Sequence, residues 1–142
     1  MNVEAPDVDH CKLSSHLFGG FYDCDETNKE AEKYLRILTA KYGIPECGRN
    51  RATFMSKHCV IKFPLNDNGI CDNDWEGSMR SETTARGRWI QIGSFVCVVQ
   101  EKLTMPENFS YKNLPDWVGS VDGGQVGYDK KGRLKAYDFG YR

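Results

Sequence analysis

The chain has 142 residues, enough for one ordinary domain, and its 39% hydrophobic content can supply a core. With 19 Lys and Arg against 20 Asp and Glu, the formal charge of -1 gives no electrostatic drive toward nucleic acid or an anionic membrane. No run is apolar for long enough to span a bilayer, and the acidic start MNVEAPDVDHCKL lacks the layout of a signal peptide, so the expected location is the cytoplasm.

Residues 1–25 carry Gly19-Gly20 and many aspartates and are expected to form an irregular arm, with Phe18 and Phe21 tucked against the core. Residues 26–142 are expected to form a single domain. His10, Cys11, His16 and Cys24 make a zinc set by residue type, although their spacing matches no usual finger. The six cysteines include no Cys-x-x-Cys pair, and Cys59 and Cys97 sit in apolar runs as small buried hydrophobes.

Thr27-Asn28-Lys29-Glu30 has the form of a capping box and starts a helix. Ala31, Tyr34, Leu35, Leu38 and Tyr42 follow on one face at helical spacing. Gly43 closes the helix and Pro45 prevents its continuation. Strands are predicted over Arg51–Met55 and His58–Phe63. In the second, Val60 and Lys62 share one face, and Cys59, Ile61 and Phe63 the other. A short helix is predicted from about Asp74 to Thr83, capped by Asp72 or Asn73 and weakened by Gly77. RWIQIGSFVCVVQEKL is two strands around a Gly93-Ser94 turn, and Phe95 to Val99 are apolar on both faces, as in a central strand.

The next segment is loop-rich, with one helical turn at Tyr111–Leu114 or Asp116–Val118. Two short strands end the chain, Gln125–Tyr128 and Arg133–Asp138, joined by a turn with Gly132 at a positive-φ position. The sum is an α+β domain: a mostly antiparallel sheet with one long and one short helix. Trp89 and Trp117 are expected to anchor the core, since no basic cluster surrounds them. Lys130 and Lys131 are expected in a solvated turn, and Arg49 and Arg51 on the solvated surface by default, the alternative for these two being contact with phosphate or an acidic partner.

The order of motifs carries further meaning. IPECGRNRATFMSKHCVIKFP, CDNDWE, RWIQIGSFVCVVQEKL and SVDGGQVGYDKKGRLKAYDFG together resemble the protein kinase-like fold, in particular the small, divergent kinase-like proteins of tailed phages. The resemblance spans roughly residues 44 to 140 and implies a kinase N-lobe plus a stub of the C-lobe. It makes Lys62 the lysine that contacts ATP phosphates and Glu76 its helix partner. Backbone groups around Gln100 to Lys102 would meet an adenine. Asp138, in Asp-Phe-Gly, and Gln125 would hold Mg²⁺.

The same resemblance exposes departures. Only Gly48 remains of the glycine-rich loop. Gln125 stands where the pattern has asparagine, and Ser120 stands at the catalytic aspartate. A serine does not serve as the acceptor base that a carboxylate provides. The segments that follow Asp-Phe-Gly in kinases have no counterpart here. The resemblance therefore implies a pseudokinase, a viral protein that binds and inhibits a host protein in the bacterial cytoplasm. The alternative is a minimal Mg-ATP-dependent phosphotransferase in which Asp122 serves as base beside Lys62, Glu76 and Asp138. A free-standing α+β domain unrelated to kinases would leave Lys62 and Glu76 far apart.

Overall fold

A computed structural model describes residues 22–110, 112–121 and 125–138. The expectations for residues 1–21, Tyr111, Asp122, Gly123, Gly124, Phe139 and Gly140 lie outside the described residues. Helix α1 spans Asp25–Tyr42. Strands β1 (Glu46–Cys47), β2 (Arg51–Met55) and β3 (Cys59–Pro64) follow. Helix α2 spans Asp67–Ser78, and β4 (Gly87–Ile92) and β5 (Phe95–Glu101) form the next hairpin. A 3₁₀ turn at Asp116–Ser120 precedes β6 (Val126–Tyr128) and β7 (Leu134–Ala136). Among the described residues the architecture is α+β: a five-stranded antiparallel sheet in the order β1-β2-β3-β5-β4, two α-helices, and the separate β6-β7 hairpin.

Helix α1 begins at Asp25, inside the stretch expected to be an irregular arm, and the capping box is not used. Cys24 is the N-cap and its side chain makes no capping bond. Asn28 instead turns back on Tyr22. Its Oδ1 accepts the Tyr22 N–H at 2.8 Å, and its Nδ2 donates to the Tyr22 carbonyl at 2.8 Å. That clasp sends the Tyr22 ring into the core, where its hydroxyl donates to the Pro64 carbonyl at 2.7 Å. Asp25 and Glu26 in the first turn favour the positive helix end. The C-terminus ends as expected, with the Gly43 N–H on the Thr39 carbonyl at 2.8 Å.

The sheet has two differently used faces, fixed by the two-residue alternation of its strands. On one, Ala52, Phe54, Ile61, Phe63, Phe95 and Cys97 meet Ala31, Leu35 and Leu38 of α1 in the main core. Phe95 is its centre, with ring centroids 5.0 Å from Phe63, 5.7 Å from Tyr22 and 6.5 Å from Tyr34. On the other face lie Arg51, Lys62, Val98 and Gln100, by the register that pairs Lys62 with Val98 and Val60 with Gln100. Helix α2 supplies the buried Asn73 and Glu76. With helices on both faces, β5 has to be apolar on both, which its sequence predicted.

Helix α2 starts well before the predicted Asp74. Asn66 is its N-cap and accepts the Gly69 N–H at 2.9 Å. Gly69 hid the start, because glycine reads as a helix breaker. A Cβ at Gly69 would stand 2.2 Å from the Asn50 carbonyl oxygen, so close backbone approach requires the glycine. The helix ends at Ser78, short of the predicted Thr83. Trp89 is a second correction. It is 49% exposed and lies over Gly77, with its indole N–H on the Asp74 carbonyl at 3.2 Å. Trp117 packs beside Val118, Val126 and Ala136 in a small second cluster. Cys97 is fully buried, and Cys59 only partly so. Gly93 and Gly132 sit at φ 58° and 78°, as their turns require.

The β6-β7 hairpin is stitched to both ends of the β4-β5 hairpin. Ala85 N–H donates to the Ala136 carbonyl at 2.7 Å, and Ala136 N–H donates to the Thr83 carbonyl at 2.8 Å. Thr104 and Tyr128 exchange backbone bonds of 2.9 and 2.8 Å. Asp129 organises the hairpin's turn. Its carboxylate accepts the Arg133 and Lys131 N–H groups at 2.9 Å each, Arg133 Nε at 2.8 Å and Lys135 Nζ at 3.0 Å. The Arg133 N–H foremost, then the Lys135 and Arg133 side chains, hold its carboxyl well below the usual carboxylate range against the opposing effect of burial. A depressed folded pKa adds stability above the unfolded value of about 3.9, and that stability is lost as pH falls toward the folded pKa. Urea unfolding between pH 7 and about pH 2.5 is expected to show stability dropping below pH 4. Asp129→Asn is expected to flatten that part of the profile, and an unchanged slope would contradict this role.

Candidate functional site

Lys62 projects from the middle of β3, and Glu76 projects from the last turns of α2 toward the same sheet face. Lys62 Nζ lies 2.6 Å from Glu76 Oε1, and the two residues are 3% and 0% exposed. Asn73, one turn before Glu76, fixes the helix against the sheet. Its Nδ2 donates to the Lys62 carbonyl at 3.2 Å and to the Val96 carbonyl at 2.9 Å. Asn73 was expected at a helix cap, but it works as a buried tie between α2, β3 and β5.

Arg51, expected on the surface, is 7% exposed. Its NH2 lies 2.7 Å from Glu76 Oε2 and 2.6 Å from Asp138 Oδ1, and its NH1 donates to Asn73 Oδ1 at 3.3 Å. Lys62 also donates to the Tyr137 carbonyl. Two cations and two carboxylates thus bind β2, β3, α2 and the segment after β7 into one cluster. Burial pulls the Lys62 ammonium pKa below its ordinary value, while the Glu76 carboxylate opposes that fall. Arg51 is the member of this cluster that the sequence placed by default on the solvated surface. The signal was its place in β2, two residues from Thr53, which pairs directly with Lys62. Alternation puts Arg51 and Thr53 on the Lys62 face.

A cleft of about 620 Å³ opens beside this cluster. Gly48 and Arg49 border it on one side, Lys102 and Thr104 on another, and Gln125 and Asp138 on a third. The volume falls in the range of small-molecule sites. Gln100 and Lys102, expected near an adenine, both border this cleft. Gln100 lies inside β5 between Val60 and Gly87, so its backbone belongs to the sheet, and its side-chain amide reaches Glu76 Oε1 at 3.5 Å. Lys102 is exposed, with Nζ on the Ser56 carbonyl at 3.2 Å. The Gln125 carbonyl accepts the Tyr137 N–H at 3.1 Å. Ser120 is exposed at the end of the 3₁₀ turn, its hydroxyl on the Trp117 carbonyl at 2.7 Å. It does not border the cleft.

The described residues fit a bound Mg²⁺ poorly. Magnesium is held by carboxylate oxygens and water in octahedral geometry. Of the acidic residues bordering the cleft, Asp138 is already paired with Arg51, and the buried Glu76 beside it is paired with both Arg51 and Lys62. Of the suggested zinc set only Cys24 is described. Among the described residues no group of three His, Cys, Asp or Glu side chains gathers as a metal site, and no helix is long and apolar enough to cross a membrane.

No protein-family model matches the chain, and no curated protein matches it either.

Proposed function

We propose that this chain is a catalytically degenerate, kinase-like binding protein, a pseudokinase of the tailed-phage kind that binds and inhibits a host protein. The observation that carries the proposal is the buried Lys62–Glu76 pair, joined by Arg51 to Asp138. Residues 14 positions apart in sequence meet at 2.6 Å, on a strand and on the helix that follows it. The succession of hairpin, lysine strand, glutamate helix, two-strand hairpin and aspartate segment supports the kinase-like reading. The loss of chemistry is supported by Ser120 lying outside the cleft lining and by Arg51 taking the Asp138 carboxylate. A neutralised aspartate offers little to a metal, and phosphoryl transfer depends on metal-borne charge stabilisation.

A second reading, a nucleotide-binding protein or minimal Mg-ATP phosphotransferase, is favoured by one observation. Lys62, Gln125 and Asp138 border the same cleft, whose volume suits a nucleotide. On that reading, Mg-ATP raises the melting temperature of the protein, because a ligand selective for the native state must stabilise it.

The binding function is tested by a pull-down from bacterial lysate with the tagged chain. The expected result is one host protein retained in near-stoichiometric amount, with its own activity falling as purified chain is added. Retention of nothing beyond the untagged control, or a retained protein whose activity is unaffected, overturns the inhibitory function.

A further inference from the structure

The four charged groups of the cluster sum to zero, and each carboxylate faces a cation within 2.7 Å. Arg51 is gripped from three directions, by Glu76, Asp138 and Asn73. A guanidinium in that position supplies the positive charge that a divalent ion would bring, and it leaves neither Glu76 nor Asp138 uncommitted for a second cation. The Asp138 side chain is nevertheless 44% exposed. An ion arriving from the cleft would reach it if the guanidinium were gone.

We propose that Arg51 is the resident cation of this cleft. It holds the space between Glu76 and Asp138 that a divalent ion would take, and replacing it by a neutral side chain turns the cleft into a divalent-cation site. The kinase-like reading supplies only the kind of ion expected. The ionic arrangement is the chain's own, and it makes the wild-type cleft independent of metal. Without Arg51, Glu76 keeps its bond to Lys62, while Asp138 becomes an unpaired carboxylate with the Gln125 amide bordering the same cleft. Oxygen donors of that type suit Mg²⁺ or Mn²⁺ completed by water.

The test titrates Mn²⁺ into wild type, R51K, R51Q and R51Q/D138N and counts free ion by electron paramagnetic resonance. Wild type and R51K, which keep a cation, are expected to retain no Mn²⁺ at low-millimolar concentration. R51Q is expected to bind one ion per chain, roughly tenfold or more tighter than wild type. Mg²⁺ should compete for that ion, and R51Q/D138N should lose it. A wild-type Mn²⁺ site that D138N removes overturns the proposal, as does a folded R51Q with no gain. If R51Q is unfolded in metal-free buffer, Mg²⁺ is expected to refold it where KCl of equal ionic strength does not, and failure to refold overturns the proposal. Phosphate transfer by the wild type would strike the functional reading, whereas a folded R51Q without metal affinity strikes this inference alone.

Discussion

Glu76→Ala is expected to lower the unfolding free energy by about 3–5 kcal/mol, the usual cost of removing one partner from a buried ion pair. Glu76 is 0% exposed and faces Lys62 at 2.6 Å and Arg51 at 2.7 Å. Its removal leaves the Lys62 ammonium buried without its carboxylate, while Arg51 keeps Asp138. For a domain with a total stability of about 5–15 kcal/mol, that loss is a third or more. Removing the pair together behaves differently. Replacing buried ions by apolar residues of similar size is often neutral or stabilising. The double variant Lys62→Met/Glu76→Met is therefore expected to recover most of what Glu76→Ala loses. Urea unfolding of both variants checks this. A loss under about 1 kcal/mol in Glu76→Ala would mean that the pair behaves like an exposed one.

Phe95→Ala is expected to cost a similar amount, about 3–5 kcal/mol, through a different mechanism. The ring is 2% exposed and touches the Phe63 ring of β3, the Tyr34 ring of α1 and the Tyr22 ring just before α1. Truncation removes both the apolar burial and the edge contacts, and it leaves a void that a β-hairpin residue is poorly placed to refill. Because Tyr34 and Leu35 hold α1 to this centre, faster amide exchange across α1 is expected to accompany the loss. Phe95→Leu keeps most of the volume and should retain most of the stability. Equal stability of Phe95→Ala and wild type would contradict a core centred on this ring.

Most of the fold was legible because its signals are local. The apolar stripe from Ala31 to Tyr42, the Gly93-Ser94 turn and the alternation in β2 and β3 each follow from spacing alone. The misreadings fall where a distant contact overrides a local preference. Gly69 reads as a breaker but answers to the Asn50 carbonyl, and Thr27 reads as a cap but yields to the Asn28–Tyr22 clasp. Glu46–Cys47 is too short and too exposed for periodicity to mark it as a strand.

The site was legible in part. Lys62, Glu76 and Asp138 were singled out, and they do meet in one cluster. The role of Arg51 was hidden because a charged residue at a strand start is normally solvated. Its burial depends on Asp138, 87 residues later in the chain. Gln100 was picked for its backbone, yet the sheet claims that backbone and its side chain enters the cluster. Such assignments need the register and the packing of α2, neither of which local pattern carries.

The proposed function is that of a kinase-like scaffold whose chemistry is lost. The most direct test incubates the purified chain with Mg²⁺ and ATP labelled at the γ-phosphate, alone and with bacterial lysate proteins, beside its Asp138→Ala variant. No label is expected on the chain or on any lysate protein beyond that seen with the variant. Label that depends on wild-type chain and disappears with Asp138→Ala would contradict the proposed function.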